Sequence, residues 1–118
     1  MIRNMLETCN NGDMIFAVDR ADADFSESYW FDTEVRNSNF TNNDFAYSTI
    51  KEFDAARTDY SNSDFYGCVF DKVIFSLCDL TNCNFENCMF RLVIFDKCTI
   101  DEATRKQLEH YDGLVINL

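Results

Sequence analysis

Apolar residues recur at every fifth position from Phe25 to Ile100. The series is Phe25, Trp30, Val35, Phe40, Phe45, Ile50, Ala55, Tyr60, Phe65, Phe70, Phe75, Leu80, Phe85, Phe90, Phe95 and Ile100, and none of its members is charged. A helix of 3.6 residues per turn cannot keep that phase on one side, and neither can a strand of period two. A period of five requires a chain that turns inward once per five residues, which is a solenoid with a thin core along its axis. Each unit, numbered by its central residue i, is graded around that residue. Position i−2 is small: Ala23, Ser28, Thr33, Ser38, Ser48, Thr58, Ser63 and five of the cysteines. Position i−1 is mostly Asp or Asn in the earlier units, the instances being Asp24, Asn39, Asp44, Asp54, Asp59, Asp64, Asp79 and Asn84, and positions i+1 and i+2 are mostly polar.

A second period of twenty lies over the first. Asn39 to Phe45 returns as Asp59 to Phe65 and as Asp79 to Phe85, and Cys68 to Phe75 returns as Cys88 to Phe95. Four units therefore make one coil, and like positions stack. The ladder of core phenylalanines is expected to be Phe25, Phe45, Phe65 and Phe85, with Phe70 on Phe90 and Phe75 on Phe95. Asn42, Asn62 and Asn82 are expected to form a ladder at one corner. Sixteen units give about four coils and a shaft of about 19 Å at a strand spacing of ~4.8 Å. In the unit around Ala55 the large residue is Phe53, at i−2. The pair conserves volume, so both side chains are expected to point inward.

The units Ala23-Asp24-Phe25-Ser26-Glu27, Ser38-Asn39-Phe40-Thr41-Asn42 and Cys83-Asn84-Phe85-Glu86-Asn87 resemble the pentapeptide-repeat family, whose unit is written A(D/N)LXX. This chain uses Phe where that family more often has Leu, and Cys where it has Ala. The resemblance implies a right-handed quadrilateral β-helix, an all-β solenoid with one pentapeptide per side of a square coil. It also implies a candidate role. Some members resemble duplex DNA and protect type II topoisomerases from quinolones. Those members are longer and dimeric, and some carry projecting loops for which the unbroken register here leaves no room.

Residues 1–20 are expected to cap the N-terminal end, residues 21–100 to form the β-helix, and residues 101–118 to close the other end. Ile2 to Leu6 reads as a helical turn and Met14 to Val18 as a strand that starts the first coil. Thr99-Ile100-Asp101-Glu102 reads as a capping box with Thr99 as N-cap, followed by a short helix to His110 that Asp112-Gly113 ends. The tail Leu114 to Leu118 is too apolar to hang free, and is expected to pack on the shaft or on a second chain.

Composition narrows the function. The chain of 118 residues carries 10 Lys and Arg against 21 Asp and Glu, a net charge of −11. Direct binding to nucleic acid needs clustered basic residues and is not expected. No apolar run approaches the roughly 20 residues that span a bilayer, and the N-terminus lacks the apolar core of a secretory signal. The expected location is the cytoplasm, with no membrane partner. Proline is absent and there are three glycines, so Asn, Asp and Ser are expected to supply the corners. Of the six cysteines, Cys68, Cys78, Cys83, Cys88 and Cys98 all occupy the small i−2 position. They read as reduced, buried hydrophobes. Their spacing of five and ten is not that of a zinc site, and no metal or cofactor is expected.

Enzyme chemistry finds little to stand on. His110 is the single histidine, there is no Gly-rich phosphate loop or nucleophile elbow, and carboxylates on a convex shaft have no cleft to desolvate them. A small hydrolase or metal protein is the least supported class. Two surfaces remain as binding candidates. The first is an acidic ridge of Asp24, Asp44, Asp59, Asp64 and Asp79. Stacked like charges repel by only about 1 kcal/mol in water, so corner chemistry and solubility suffice to explain the ridge and are its favoured reading. Its sharper reading is DNA mimicry. Eleven net charges on a rod of about 20 to 35 Å approach the one charge per ~1.7 Å of B-DNA. The second surface is apolar, where the outward positions of the last coils become Val69, Ile74, Leu77, Met89, Leu92 and Ile94. It is either an interface with a protein partner, a second copy included, or a seat for the C-terminal tail. Tyr29, Phe31, Tyr47 and Tyr66 also fall at outward positions. The chain is therefore expected to be a non-catalytic protein-interaction module, with a topoisomerase-directed DNA mimic as the alternative.

Overall fold

Each five-residue unit turns inward because its backbone reverses hand at i+2. From Ala17 to Lys97 every residue at that position has positive φ, between 49° at Glu52 and 69° at Gly67. The computed structural model describes residues 14–117, and in it, from Ala23 on, the side chains at i−2 and i are buried, except for half-buried Phe90 and Ile100 near the C-terminal end, while that at i+2 lies at the surface. The result is a parallel β-solenoid of about five turns with one short helix near its C-terminus.

The strands are β1 (Met14–Phe16), β2 (Tyr29–Arg36), β3 (Thr49–Ala56), β4 (Val69–Ser76), β5 (Met89–Arg91), β6 (Val93–Asp96) and β7 (Leu114–Asn117), with helix α1 (Glu102–Glu109) before the last. Eight-residue strands β2 to β4 run through a corner, at Asp32, Glu52 and Lys72, rather than ending at it. All pairings are parallel. Glu34 pairs with Asp54, Asp54 with Ile74 and Ile74 with Ile94, each twenty residues apart. The other two sides of the square pair through single residues, Asp24–Asp44–Asp64–Asn84 and Asp19–Asn39–Asp59–Asp79–Thr99.

Inside, rings stack rung on rung. Phe45 and Phe65 lie 4.9 Å apart and 3° from parallel, Phe65 and Phe85 5.1 Å and 2°, Phe70 and Phe90 5.0 Å and 3°, Phe75 and Phe95 5.3 Å and 9°. Phe25 and Phe45 are looser, at 5.4 Å and 22°. Phe53 and Ala55 both point inward, and Phe53 meets Trp30 edge-on at 5.4 Å. The corner asparagines hydrogen-bond up the shaft, Asn82 Nδ2 to Asn62 Oδ1 at 2.8 Å and Asn42 Nδ2 to Asp22 Oδ1 at 2.6 Å.

Several expectations need correction. The solenoid begins before residue 21, since β1 pairs with β2 through Met14–Glu34 and Ile15–Val35. The extra rungs at both ends bring four coils to about five, and the described residues extend 33 × 22 × 20 Å. Residues 1–13, with Ile2 to Leu6 and Cys9, lie outside the described residues, as does Leu118. The N-cap of α1 is Asp101, not Thr99, because Thr99 is held in the shaft by its bridge to Asp79. The Asp101 carboxylate accepts from Asn82 N–H at 2.9 Å. The Thr104 hydroxyl first, and then that N–H, hold it below the usual carboxylate range. Corners are not confined to Asn, Asp and Ser either. Tyr47, Arg57, Leu77, Leu92 and Lys97 are left-handed too.

Helix α1 closes part of the open end by supplying hydrogen bonds that the next rung would have made. Gln107 Oε1 accepts from Phe85 N–H at 2.6 Å, and Tyr111 Oη donates to Phe85 O at 2.7 Å. Leu108 and Thr104 are fully buried beneath it. The tail then adds one more rung. β7 pairs with β6 through Val93–Leu114, Ile94–Val115, Phe95–Ile116 and Asp96–Asn117.

Candidate interaction surfaces

The cysteines do the work of serines. Ser48 Oγ donates to Phe25 O and Ser63 Oγ to Phe40 O, both at 3.1 Å. The thiols of Cys68, Cys83, Cys88 and Cys98 donate to the carbonyls of Phe45, Tyr60, Phe65 and Phe75 at 3.0 to 3.2 Å. All five thiols are buried and free. Burial pushes Cys83 and Cys88 up to about 12 and raises Cys68 as well. A thiol that ionises so reluctantly is a poor nucleophile and a poor ligand. Among the described residues no cluster of His, Cys, Asp and Glu could hold a metal ion. His110 stands exposed at the C-cap of α1.

The acidic ridge is built by corner geometry. In every ridge residue one carboxylate oxygen accepts from the N–H two positions on: Asp24 from Ser26, Asp44 from Ala46, Asp59 from Ser61, Asp64 from Tyr66 and Asp79 from Thr81, at 2.8 to 2.9 Å. Asn84 and Asn39 make the same bond, to Glu86 and Thr41 N–H, at 3.0 Å. The corner therefore needs a side-chain oxygen, not a charge. Asp24, Asp44 and Asp64 share one column, and Asp59 and Asp79 another on the adjacent side.

The apolar residues form stacked columns on the two remaining sides. Val69 pairs with Met89 and Ile74 with Ile94. Leu77 and Leu92 occupy the corners on either side of the Ile94 column. Val69 is half-buried, Ile74 and Ile94 are 40 % exposed, Leu92 59 % and Met89 68 %. The tail does not cover this surface. β7 extends it, because its backbone joins the sheet edge and leaves Val115, paired with Ile94, 59 % exposed. Together Leu92, Ile94, Leu114 and Val115 wall a shallow groove. Val115 falls outside the five-residue series, and only its place in an apolar tail marks it in the sequence. At the N-terminal end of the Val69–Met89 column Tyr29 stacks on Phe31 at 6.2 Å, and near the Asp44–Asp64 column Tyr47 meets Tyr66 edge-on at 5.6 Å.

The family model described as pentapeptide repeats (8 copies) matches residues 54–87. No curated protein matches the chain. Among solved structures, trypsin-treated QnrB1, described as a plasmid-mediated fluoroquinolone resistance protein, superposes with a TM-score of 0.66 at 18 % identity, over 75 % of this chain and 48 % of that one. Rfr23, a pentapeptide repeat protein from the cyanobacterium Cyanothece 51142, superposes with a TM-score of 0.52 at 16 % identity, over 98 % of this chain and 92 % of that one. The chain thus spans about half the length of QnrB1, and at such identities the likeness is one of fold. The pentapeptide-repeat resemblance is thus borne out by the family model over residues 54–87, and the fold is one shared with pentapeptide-repeat proteins such as Rfr23.

Proposed function

We propose that this chain is a non-catalytic protein-interaction module that binds through the apolar side of its C-terminal coils. The observation that carries the reading is the exposed Ile74–Ile94–Val115 column, flanked by two leucines in left-handed corners. Folding requires neither the exposed apolar surface nor the strained leucines, and contiguous exposed apolar surface marks interfaces. The form that needs no other protein pairs two copies through this C-terminal half. The acidic columns support a second reading, a DNA mimic directed at a type II topoisomerase. The proposed location under either reading is the cytoplasm.

Two variants separate them. Ile74→Ser/Met89→Ser/Ile94→Ser removes the apolar surface. Asp44→Asn/Asp64→Asn/Asp79→Asn removes charge and keeps the corner bond that Asn84 already makes. Light scattering at low and high salt reports self-association, and supercoiling by a type II topoisomerase with and without a fluoroquinolone reports the alternative. The apolar reading expects association that survives about 0.5 M salt, where charges are screened beyond a few ångström, and that only the serine variant loses. A monomer whose effect on the topoisomerase fades with salt and in the asparagine variant would transfer the function to the acidic columns.

A further inference from the structure

The side of the shaft opposite the apolar column carries acids and aromatics together. Segments 22–27, 42–47, 62–67 and 82–87 hold six carboxylates and no lysine or arginine. At its centre are two tyrosines in fixed positions. Tyr47 is 63 % exposed and left-handed, with φ of 62°. Its ring leans over the next rung at Gly67, where an added Cβ would stand 2.9 Å from the ring. There it meets the Tyr66 ring edge-on, and Tyr66 Oη accepts from Asn87 Nδ2 at 2.5 Å. Glu86 stacks directly above Tyr66, since Gly67 N–H bonds to Glu86 O at 2.9 Å. Asp64 lies beside it, its Oδ1 accepting from Tyr66 N–H at 2.9 Å and from Asn84 Nδ2 at 3.2 Å, with Asp44 one rung below.

From this arrangement we infer an arginine-recognition site, formed by Tyr47, Tyr66, Asp44, Asp64 and Glu86, that takes an extended arginine-rich segment of a partner protein. A planar guanidinium stacks on an aromatic face and forks to a carboxylate at once, which a lysine ammonium does not. Rungs ~4.8 Å apart repeat the acids along the axis. A segment running up the shaft therefore meets carboxylates at successive levels and the aromatic shelf midway. The site is independent of the apolar surface, and together the two would make the shaft a two-sided adaptor.

The test is fluorescence anisotropy of labelled hexa-arginine and hexa-lysine peptides on the full chain, at about 150 mM salt so that long-range attraction is screened. Hexa-arginine is expected to bind at least about fivefold tighter than hexa-lysine, the order of one or two cation–π contacts. Tyr47→Ala/Tyr66→Ala should abolish that preference with little change for hexa-lysine, and Tyr47→Phe/Tyr66→Phe should restore it. Asp44→Asn/Asp64→Asn/Glu86→Gln should weaken both peptides. Equal binding of the two peptides, or a preference untouched by the tyrosine variants, would overturn the site and leave only bulk acidity. Ile74→Ser/Ile94→Ser should leave peptide binding unchanged whatever it does to self-association, so failure of the apolar reading and failure of this one are read separately.

Discussion

The Cys68 thiol donates to the Phe45 carbonyl at 3.0 Å, and one coil below it the Ser48 hydroxyl donates to the Phe25 carbonyl at 3.1 Å. The i−2 column thus selects a small side chain with a hydrogen to give. Cys68→Ser should change stability by less than about 1 kcal/mol, while Cys68→Ala loses the bond and should cost about 1 kcal/mol. Cys68→Leu overfills a packed rung and should cost roughly 1–3 kcal/mol. Urea unfolding of the three variants checks the order.

The same burial makes stability depend on alkaline pH. Folded Cys83 and Cys88 ionise only near 12, whereas their ordinary value is 9.0. Below pH 9 both states hold the proton and these thiols contribute no slope. Above it the unfolded chain gives up protons that the folded chain keeps, so stability falls between pH 9 and about 12. Each thiol contributes a slope of up to about 1.4 kcal/mol per pH unit. Urea midpoints should be flat in this respect up to pH 8 and decline above 9. Cys83→Ser/Cys88→Ser should decline less steeply.

Tyr60 fills a phase-five position between Phe40 and Leu80, and its hydroxyl is buried without a hydrogen-bond partner among the described residues. Burial raises its pKa well above the usual value. An unsatisfied buried hydroxyl costs about 1–3 kcal/mol, and the ring alone supplies the packing, with Phe40 at 5.6 Å and Phe75 at 5.7 Å. Tyr60→Phe is expected to raise the urea midpoint at unchanged m-value by a stability gain of about 1 kcal/mol. A loss would mean that the hydroxyl is satisfied.

These interior features follow from positions legible in the sequence, because a residue at i or i−2 can face only inward. The corners were less legible. Left-handed φ at i+2 is set by the coil and falls on whatever side chain stands there, so Leu77 and Tyr47 share it with Asn62. The ends were least legible, because period-five reasoning fails where repeats fail. Asp101 caps α1 because Thr99 is committed to the shaft. The tail adds a rung after a step of 21 residues, from Ile94 to Val115, which no twenty-residue register anticipates. Of the candidate surfaces, the acidic and apolar columns were visible as spacing. The pairing of Tyr47 with Gly67 depends on a ring leaning one rung upward.

That last rung depends on one glycine. Gly113 has φ of +86°, and an added Cβ would lie 2.0 Å from Phe90 O. Gly113→Ala combines a disfavoured backbone with a contact that nothing short of moving the chain relieves. A cost of about 3 kcal/mol is expected, localised to the end of the shaft. Val93 N–H bonds to Gly113 O at 3.0 Å and Lys97 N–H to Asn117 O at 2.6 Å. Hydrogen exchange should therefore show those two amides losing protection, while the Phe45 and Phe65 amides, bonded in the middle coils, keep theirs.

Leu77 and Leu92 set stability against binding. Both are left-handed, with φ of 54° and 55°, and both are about half exposed. A left-handed leucine costs roughly 1–2 kcal/mol that asparagine largely avoids, and Asn37, Asn62 and Asn82 hold equivalent corners at 53° to 61°. Leu77→Asn/Leu92→Asn should therefore stabilise the shaft by about 1 kcal/mol or more, because little buried apolar area is lost with the side chains. If the C-terminal apolar side binds a partner, the same variant should weaken that association or dissolve the dimer while its melting temperature rises. Opposite movement of the two readouts is the signature of residues kept for binding at the expense of the fold. A variant that melts higher and associates as before would show that the two leucines lie outside the interface.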